Sequence, residues 1–320
     1  MTESPHVPPY MRLLPQDAVA QIARLELLAR GMVEGFVAGR HKSPHKGFSV
    51  EFAEHRQYVP GDDLRTLDWR VYGRHDRYYV KEYMEETNLR ATIVLDASGS
   101  MNYRGDAAAQ IDGKALSKFE YARYVAAALS YLLIHQQDAV GLVTFDTRMR
   151  EYLPAKSQAS QVRRVLTELH ATEPGGETRM APMLHEVADR IPRRGLVILI
   201  SDLFDDADEL LKALHHFNYC MHEVIVLHVM AEEELTFPFG SFSSFRDLEG
   251  AIDTLQVDPK TIRSRYLNRI REFIEKIRKG CGSMKADYAP LSTKENFEDA
   301  LADFLSRRRQ MATLRSTATA

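Results

Sequence analysis

Residues 91–101 read ATIVLDASGSM. The run from Ala91 to Leu95 is almost wholly apolar and rich in β-branched side chains, which predicts a strand covered on both faces. It ends in Asp96, with Ser98 and Ser100 following at alternate positions. Further apolar runs appear as AVGLVTF (139–145), LVILISD (196–202), EVIVLHVM (223–230) and KADYAPL (285–291). Helical patterns lie between them over 116–137, 159–170 and 180–191, through Leu210, Leu211, Leu214 and Phe217, over 261–279, and near 295–305. Ile262, Tyr266, Ile270, Phe273, Ile274 and Ile277 give one of these a single apolar stripe, and Gly280 suits its C-terminal cap. Near-continuous apolar strands alternating with helices predict an α/β fold, a mostly parallel sheet with helices on both faces.

Upstream the text changes character. After a Pro-rich start, Val19, Ile22, Ala23, Leu27, Met32 and Phe36 recur at helical spacing. FSVEF (48–52) and YYVKEYMEE (78–86) alternate like strands around Pro60-Gly61-Asp62-Asp63, a strong turn signal. Turn chemistry and ion pairing account for Asp62, Asp63, Arg65 and Asp68, with Trp69 expected in the core of this small unit. The expected organisation is an N-terminal helical segment over 1–40 and a β-rich satellite over 41–88, joined by 236–258, where SFRDL and TLQVD read as strands. The α/β domain spans 89–235 and 259–306, and a polar, aperiodic tail over 307–320 is expected to be disordered.

Composition narrows the function classes. The 320 residues carry 42 Lys+Arg against 45 Asp+Glu, a net charge of −3, so no electrostatic bias points to nucleic acid or an anionic membrane. The start has no secretory pattern, and the most apolar helical run, YVAAALSYLLI, falls short of the roughly 20 residues that cross a bilayer. Two cysteines without metal-type spacing, Cys220 and Cys281, fit free thiols and a cytoplasmic protein. The 12 histidines show no helical pair of metal-binding spacing and are expected to be solvated.

Ligands of open α/β sheets sit beyond the carboxyl ends of the strands. There the first strand delivers Asp96, Ser98 and Ser100, LVILIS delivers Asp202, and the loop EPGGETRM places Thr178 beside two glycines. Each alone is common as a helix cap or turn former. Together they are hard oxygen donors suited to Mg²⁺ or Mn²⁺. The set resembles the metal-ion-dependent adhesion site of von Willebrand factor A domains, on which Asp96, Ser98, Ser100, Thr178 and Asp202 would be the metal ligands, the acids acting partly through water. Leu203 departs from that pattern, in which glycine commonly follows the last acid. The segment SVEFAEHRQYVPGDDLRTLDWRVYGRHDRYYVKEYMEE is similar to the lead-in of MoxR-associated A-like proteins, catalogued as a domain of unknown function. That resemblance implies a non-enzymatic, metal-dependent interaction protein acting with a MoxR-type AAA+ ATPase in chaperone-like maturation or assembly of an unidentified client protein. No Gly-x-x-x-x-Gly-Lys-[Ser/Thr] motif occurs, so no ATP hydrolysis is expected. The alternative is a Mg²⁺-dependent phosphohydrolase with Asp96 as nucleophile, which lacks its general acid because Ser98 stands two residues on.

Overall fold

The computed structural model describes residues 12–14, 50–58, 67–75, 78–85, 89–177, 179–192, 194–240, 243–245, 248 and 255–317. The helix expected over residues 19–36 lies outside these, and of residues 12–14 Leu13 joins the core. The chain forms two compact units, residues 40–88 and the remainder.

In the smaller unit, β1 (Val50–Gln57) pairs antiparallel with β2 (Tyr79–Glu85), and the short α1 (Trp69–His75) lies between them in sequence. Asp68 accepts a hydrogen bond from Val71 N at 3.3 Å, and its neighbour Leu67 bridges Val80. Leu67 and Val80 are buried, whereas Trp69 is 64% exposed. The expectation of a core tryptophan is thus corrected: Trp69 opens the helix and stacks edge-on against Tyr72, on an element with too little area to enclose an indole. Asp62, Asp63 and Arg65 lie outside the described residues.

The larger unit is built on a six-stranded sheet. Its elements in chain order are β3 (Arg90–Asp96), β4 (Gln110–Ile111), β5 (Lys114–Ala115), α2 (Lys118–His135), β6 (Ala139–Phe145), β7 (Met149–Lys156), α3 (Ser160–Ala171), α4 (Met180–Arg190), β8 (Leu196–Ser201), α5 (Ala207–Tyr219), β9 (Glu223–Met230), α6 (Glu232–Thr236), β10 (Ser243–Phe245), β11 (Leu255–Val257), α7 (Pro259–Ser283), β12 (Asp287–Ser292) and α8 (Phe297–Thr317). The sheet order is β12-β9-β8-β3-β6-β7, parallel throughout except for β7, which runs antiparallel to β6. Period-two alternation divides the strand side chains between two cores. Ala91, Ile93 and Leu95 face α2, α3 and α8, while Val94, Val143 and Val197 face α4, α5 and α7. The mostly parallel sheet covered on both faces is the architecture the sequence predicts.

Three expectations change. Strand β7 has no continuous apolar run, since only Leu153 is buried and Pro154 follows it; proline is tolerated because the strand lies at the sheet edge. Strands β10 and β11 pair with each other inside the larger unit, so 236–258 does not join the satellite. Pairing segments close in sequence closes a far shorter loop than reaching β1 would. The tail is also more ordered than its polarity predicts, for α8 continues to Thr317. Its reason is Arg308, a buried guanidinium donating to Asp287 at the start of β12 and to Glu223 at the start of β9.

Arg308 thereby clamps two parallel strands. Arg308→Ala should cost about 2–4 kcal/mol, below the full penalty for breaking a buried pair because both carboxylates keep some solvent. Urea unfolding measures it, and a midpoint equal to that of the wild type would remove the clamp from the account.

Asp138 governs a pH response. Its Oδ1 accepts from Leu89 N at 2.9 Å, and burial pushes the carboxyl up to about 7 while that hydrogen bond works against the rise. The folded chain keeps a proton that the unfolded chain releases near 3.8, so this residue lowers stability as pH rises from there to about 7 and adds nothing further above it. Asp138→Asn retains the acceptor for Leu89 and should flatten the fall in urea midpoint across that window. Parallel profiles for the two proteins would place the pH dependence elsewhere.

Candidate metal and interaction site

Asp96 ends β3, the strand flanked by β8 and β6, and it is fully buried. Its Oδ1 accepts from Ser98 N at 2.9 Å, and its Oδ2 accepts from Ser201 Oγ at 2.6 Å. The first bond turns the chain out of the strand, and the second ties it to the end of β8. Ser98 Oγ lies 3.1 Å from Ser100 Oγ, and Ser100 in turn hydrogen-bonds Asp202. Asp96, Ser98, Ser100 and Asp202 therefore form one connected cluster. Thr178 lies outside the described residues, but the segment just before it is anchored to the turn after β3, by Gly175 N donating to Ala97 O and Gly99 N donating to Gly176 O, each at 2.9 Å. Gly99 is required there, because a Cβ would come within 2.7 Å of Leu248 O.

Three participants were not foreseen: Ser201, Lys118 and Glu234. Lys118 Nζ donates to Asp202 Oδ2 and to Glu234 Oε1, both at 2.7 Å, and its side chain is only 3% exposed. The residue stands at the first position of α2, just after the cap Ser117, where the helix dipole disfavours a cation. A lysine in that position was the available signal, although its partners are 84 and 116 residues away.

The charges settle unevenly. Burial pushes the Asp96 carboxyl up to about 7, with the Asp202 charge adding to the rise and the Ser201 and Ser98 hydrogen bonds opposing it. Burial also acts upward on Asp202, but the Lys118 ammonium outweighs it and holds that carboxyl below its ordinary value. Burial would discharge Lys118; its two carboxylate partners reverse that and keep it charged. His228 is neutral, pulled down to about 4 by burial, and it bridges Asp202 O and the Tyr288 hydroxyl at 2.9 and 2.7 Å. Asp96 is thus a carboxyl whose direct donors are all neutral, beside hydroxyl oxygens, and this set fits a hard divalent cation. Beyond Asp202, Leu203 is fully buried with φ 56°, and Phe204 is 72% exposed.

The architecture is that of an α/β protein whose mostly parallel sheet carries an acid and hydroxyl cluster at the carboxyl ends of its central strands. The chain belongs to the family described as "Protein of unknown function DUF58", which it matches over residues 54–275. It is 26% identical to the "Uncharacterized protein Rv1480" of Mycobacterium tuberculosis over 304 residues, covering 91% of this chain and 90% of that one. Among solved structures it is similar to the conserved hypothetical protein BatB from Bacteroides thetaiotaomicron, with 18% identity, a TM-score of 0.43, and coverage of 69% of this chain and 99% of that one. It is also similar to the SpRpn10 VWA domain, with 12% identity, a TM-score of 0.39, and coverage of 67% and 94%.

Lys118→Met keeps the length and apolar stem of the side chain but strips Asp202 and Glu234 of their shared cation. A stability loss of about 3 kcal/mol is expected, since removing one partner of a buried pair strands the other. Urea denaturation tests this, and an unchanged midpoint would mean that the two carboxylates need no ammonium.

Proposed function

We propose that this protein is a non-enzymatic interaction module in which Asp96, Ser98, Ser100, Thr178 and Asp202 hold Mg²⁺ or Mn²⁺. In this reading it acts beside a MoxR-type AAA+ ATPase in the maturation or assembly of client proteins. The observation that carries the reading is the cluster of buried Asp96, Ser98 and Asp202 with partly buried Ser100 at the strand ends, with the exposed ring of Phe204 two residues on. A bound ion would supply a hard positive contact for a carboxylate of the partner. Phe204 offers apolar area beside that contact, the pairing of a charged anchor with an aromatic that interfaces favour. Both Asp96 oxygens are engaged and the residue is fully buried, which counts against a nucleophile open to substrate. The ATPase partnership rests on the family lead-in that contains β1, α1 and β2.

A second reading has its own observation. Lys118, buried and paired with both Asp202 and Glu234, already places one cation in the cluster, so an internal ammonium stands in place of an ion.

Mn²⁺ titration calorimetry separates the two. Wild type should bind one equivalent, and Asp96→Ala with Ser98→Ala should bind none; heat in neither protein favours the ammonium, and equal heat in both refutes the ligand assignment. Co-purification with the candidate ATPase, in Mg²⁺ and in EDTA, tests the partnership. Recovery should fall in EDTA and in Phe204→Ser, a variant that still binds Mn²⁺; recovery unaffected by either change would move the contact away from this edge.

A further inference from the structure

Helices α4 and α5 pack side by side through Leu184, Val187 and Ala188 against Leu210, Leu214 and Phe217. At their carboxyl ends each presents a pair of potential ligands at i, i+4 spacing, on one helix face: His185 and Asp189 on α4, His216 and Cys220 on α5 and its cap. Asp189, His216 and Cys220 each place a ligand atom within 4.8 Å of the other two. His216 Nε2 lies 3.4 Å from Asp189 Oδ1, while its Nδ1 lies 3.0 Å from His185 Nδ1. Cys220 is a free thiol.

We infer that this cluster is a transition-metal site, with Asp189, His216 Nε2 and Cys220 Sγ binding Zn²⁺ or a similar borderline ion and His185 positioning His216. Ligand atoms around a tetrahedral Zn²⁺ lie roughly 3.3–3.8 Å apart, given bonds of about 2.0–2.3 Å, so side-chain adjustments alone close the observed spacing. The donor set excludes the ion suited to the strand-end cluster: thiolate and imidazole select Zn²⁺, Co²⁺ or Ni²⁺ over Mg²⁺. An imidazole that binds through Nε2 must carry its proton on Nδ1, and His185 Nδ1 stands where it can accept that proton's hydrogen bond. The location adds to this, because both helices end here and their dipoles favour positive charge. An Asp189–His216 ion pair alone would account for neither the two facing Nδ1 atoms nor the thiol. With three protein ligands the ion keeps a position for water or an external donor.

Co²⁺ titration of the metal-free full-length protein tests the site optically. Wild type should take up one equivalent with intense tetrahedral d–d bands and a near-ultraviolet sulfur-to-cobalt charge-transfer band, both erased by Zn²⁺. The band has one source, since the other cysteine, Cys281, is fully buried in the core. Cys220→Ser should lose the charge-transfer band, and His216→Ala should lose that band together with the tetrahedral d–d bands. His185→Ala should keep the band but bind about 10–100-fold more weakly, as losses of ligand-orienting partners do. No charge-transfer band in wild type, or the same band in Cys220→Ser, overturns the site; unchanged affinity in His185→Ala overturns the role given to His185.

Discussion

The Asp96 carboxyl is the point on which the strand-end architecture turns. A charge buried without compensation is costly, so everything near the end of β3 is arranged around it. One oxygen holds Ser98 N and directs the chain into the turn that carries Ser100; the other holds Ser201 and fixes β8 beside β3. Asp202 comes next, and Lys118 reaches it from the start of α2. Asp202 and Glu234 share one ammonium, while Asp96 receives only neutral donors. With Asp96 ionised that leaves two negative charges, which a protein can remove by protonating the acid, by excluding it further, or by admitting one divalent ion. The upward push on Asp96 is the first of these solutions at work, and a bound Mg²⁺ or Mn²⁺ would replace it with the third.

Leu203 shows how the site keeps a glycine-like backbone without glycine. Its φ of 56° lies in the left-handed region, which costs a non-glycine residue about 1–2 kcal/mol. The side chain is fully buried against the core of α4 and α5, and burying a leucine contributes about 1.5–3 kcal/mol. Packing therefore offsets the strain of the left-handed backbone at Leu203. The exposed neighbour Phe204 is then projected outward from a rigid base.

What was legible in the sequence follows from the range of each signal. Strand ends are local, so Asp96, Ser98, Ser100 and Asp202 could be read from apolar runs that stop in polar residues, and the parallel sheet from the alternation of those runs with helices. Lys118 and Glu234 could not, because their meaning arises only when α2 and α6 meet the strand ends. Strand β7 was hidden because an edge strand buried on one side lacks a continuous apolar signature, and Arg308 because a basic run at a helix end looks the same whether solvated or clamped. The histidine cluster was hidden differently: each helix carries half a site, His185 with Asp189 and His216 with Cys220, and neither half resembles a complete metal motif.

The two clusters sit at opposite edges of one sheet. Asp96 and Asp202 lie at the carboxyl ends of strands, while Cys220 leads into the amino end of β9, an eight-residue strand that spans roughly 25 Å. Helices α4 and α5 connect the two edges. At the strand-end edge, Asp205 Oδ2 accepts from Ala181 N in the first turn of α4, and Asp206 caps α5. The loop that carries Asp202 and Phe204 is thus the tie between these helices at one end, and His185, Asp189, His216 and Cys220 are the groups that meet at the other. The two clusters so placed share the same two struts, and any shear of α4 against α5 must be accommodated at both.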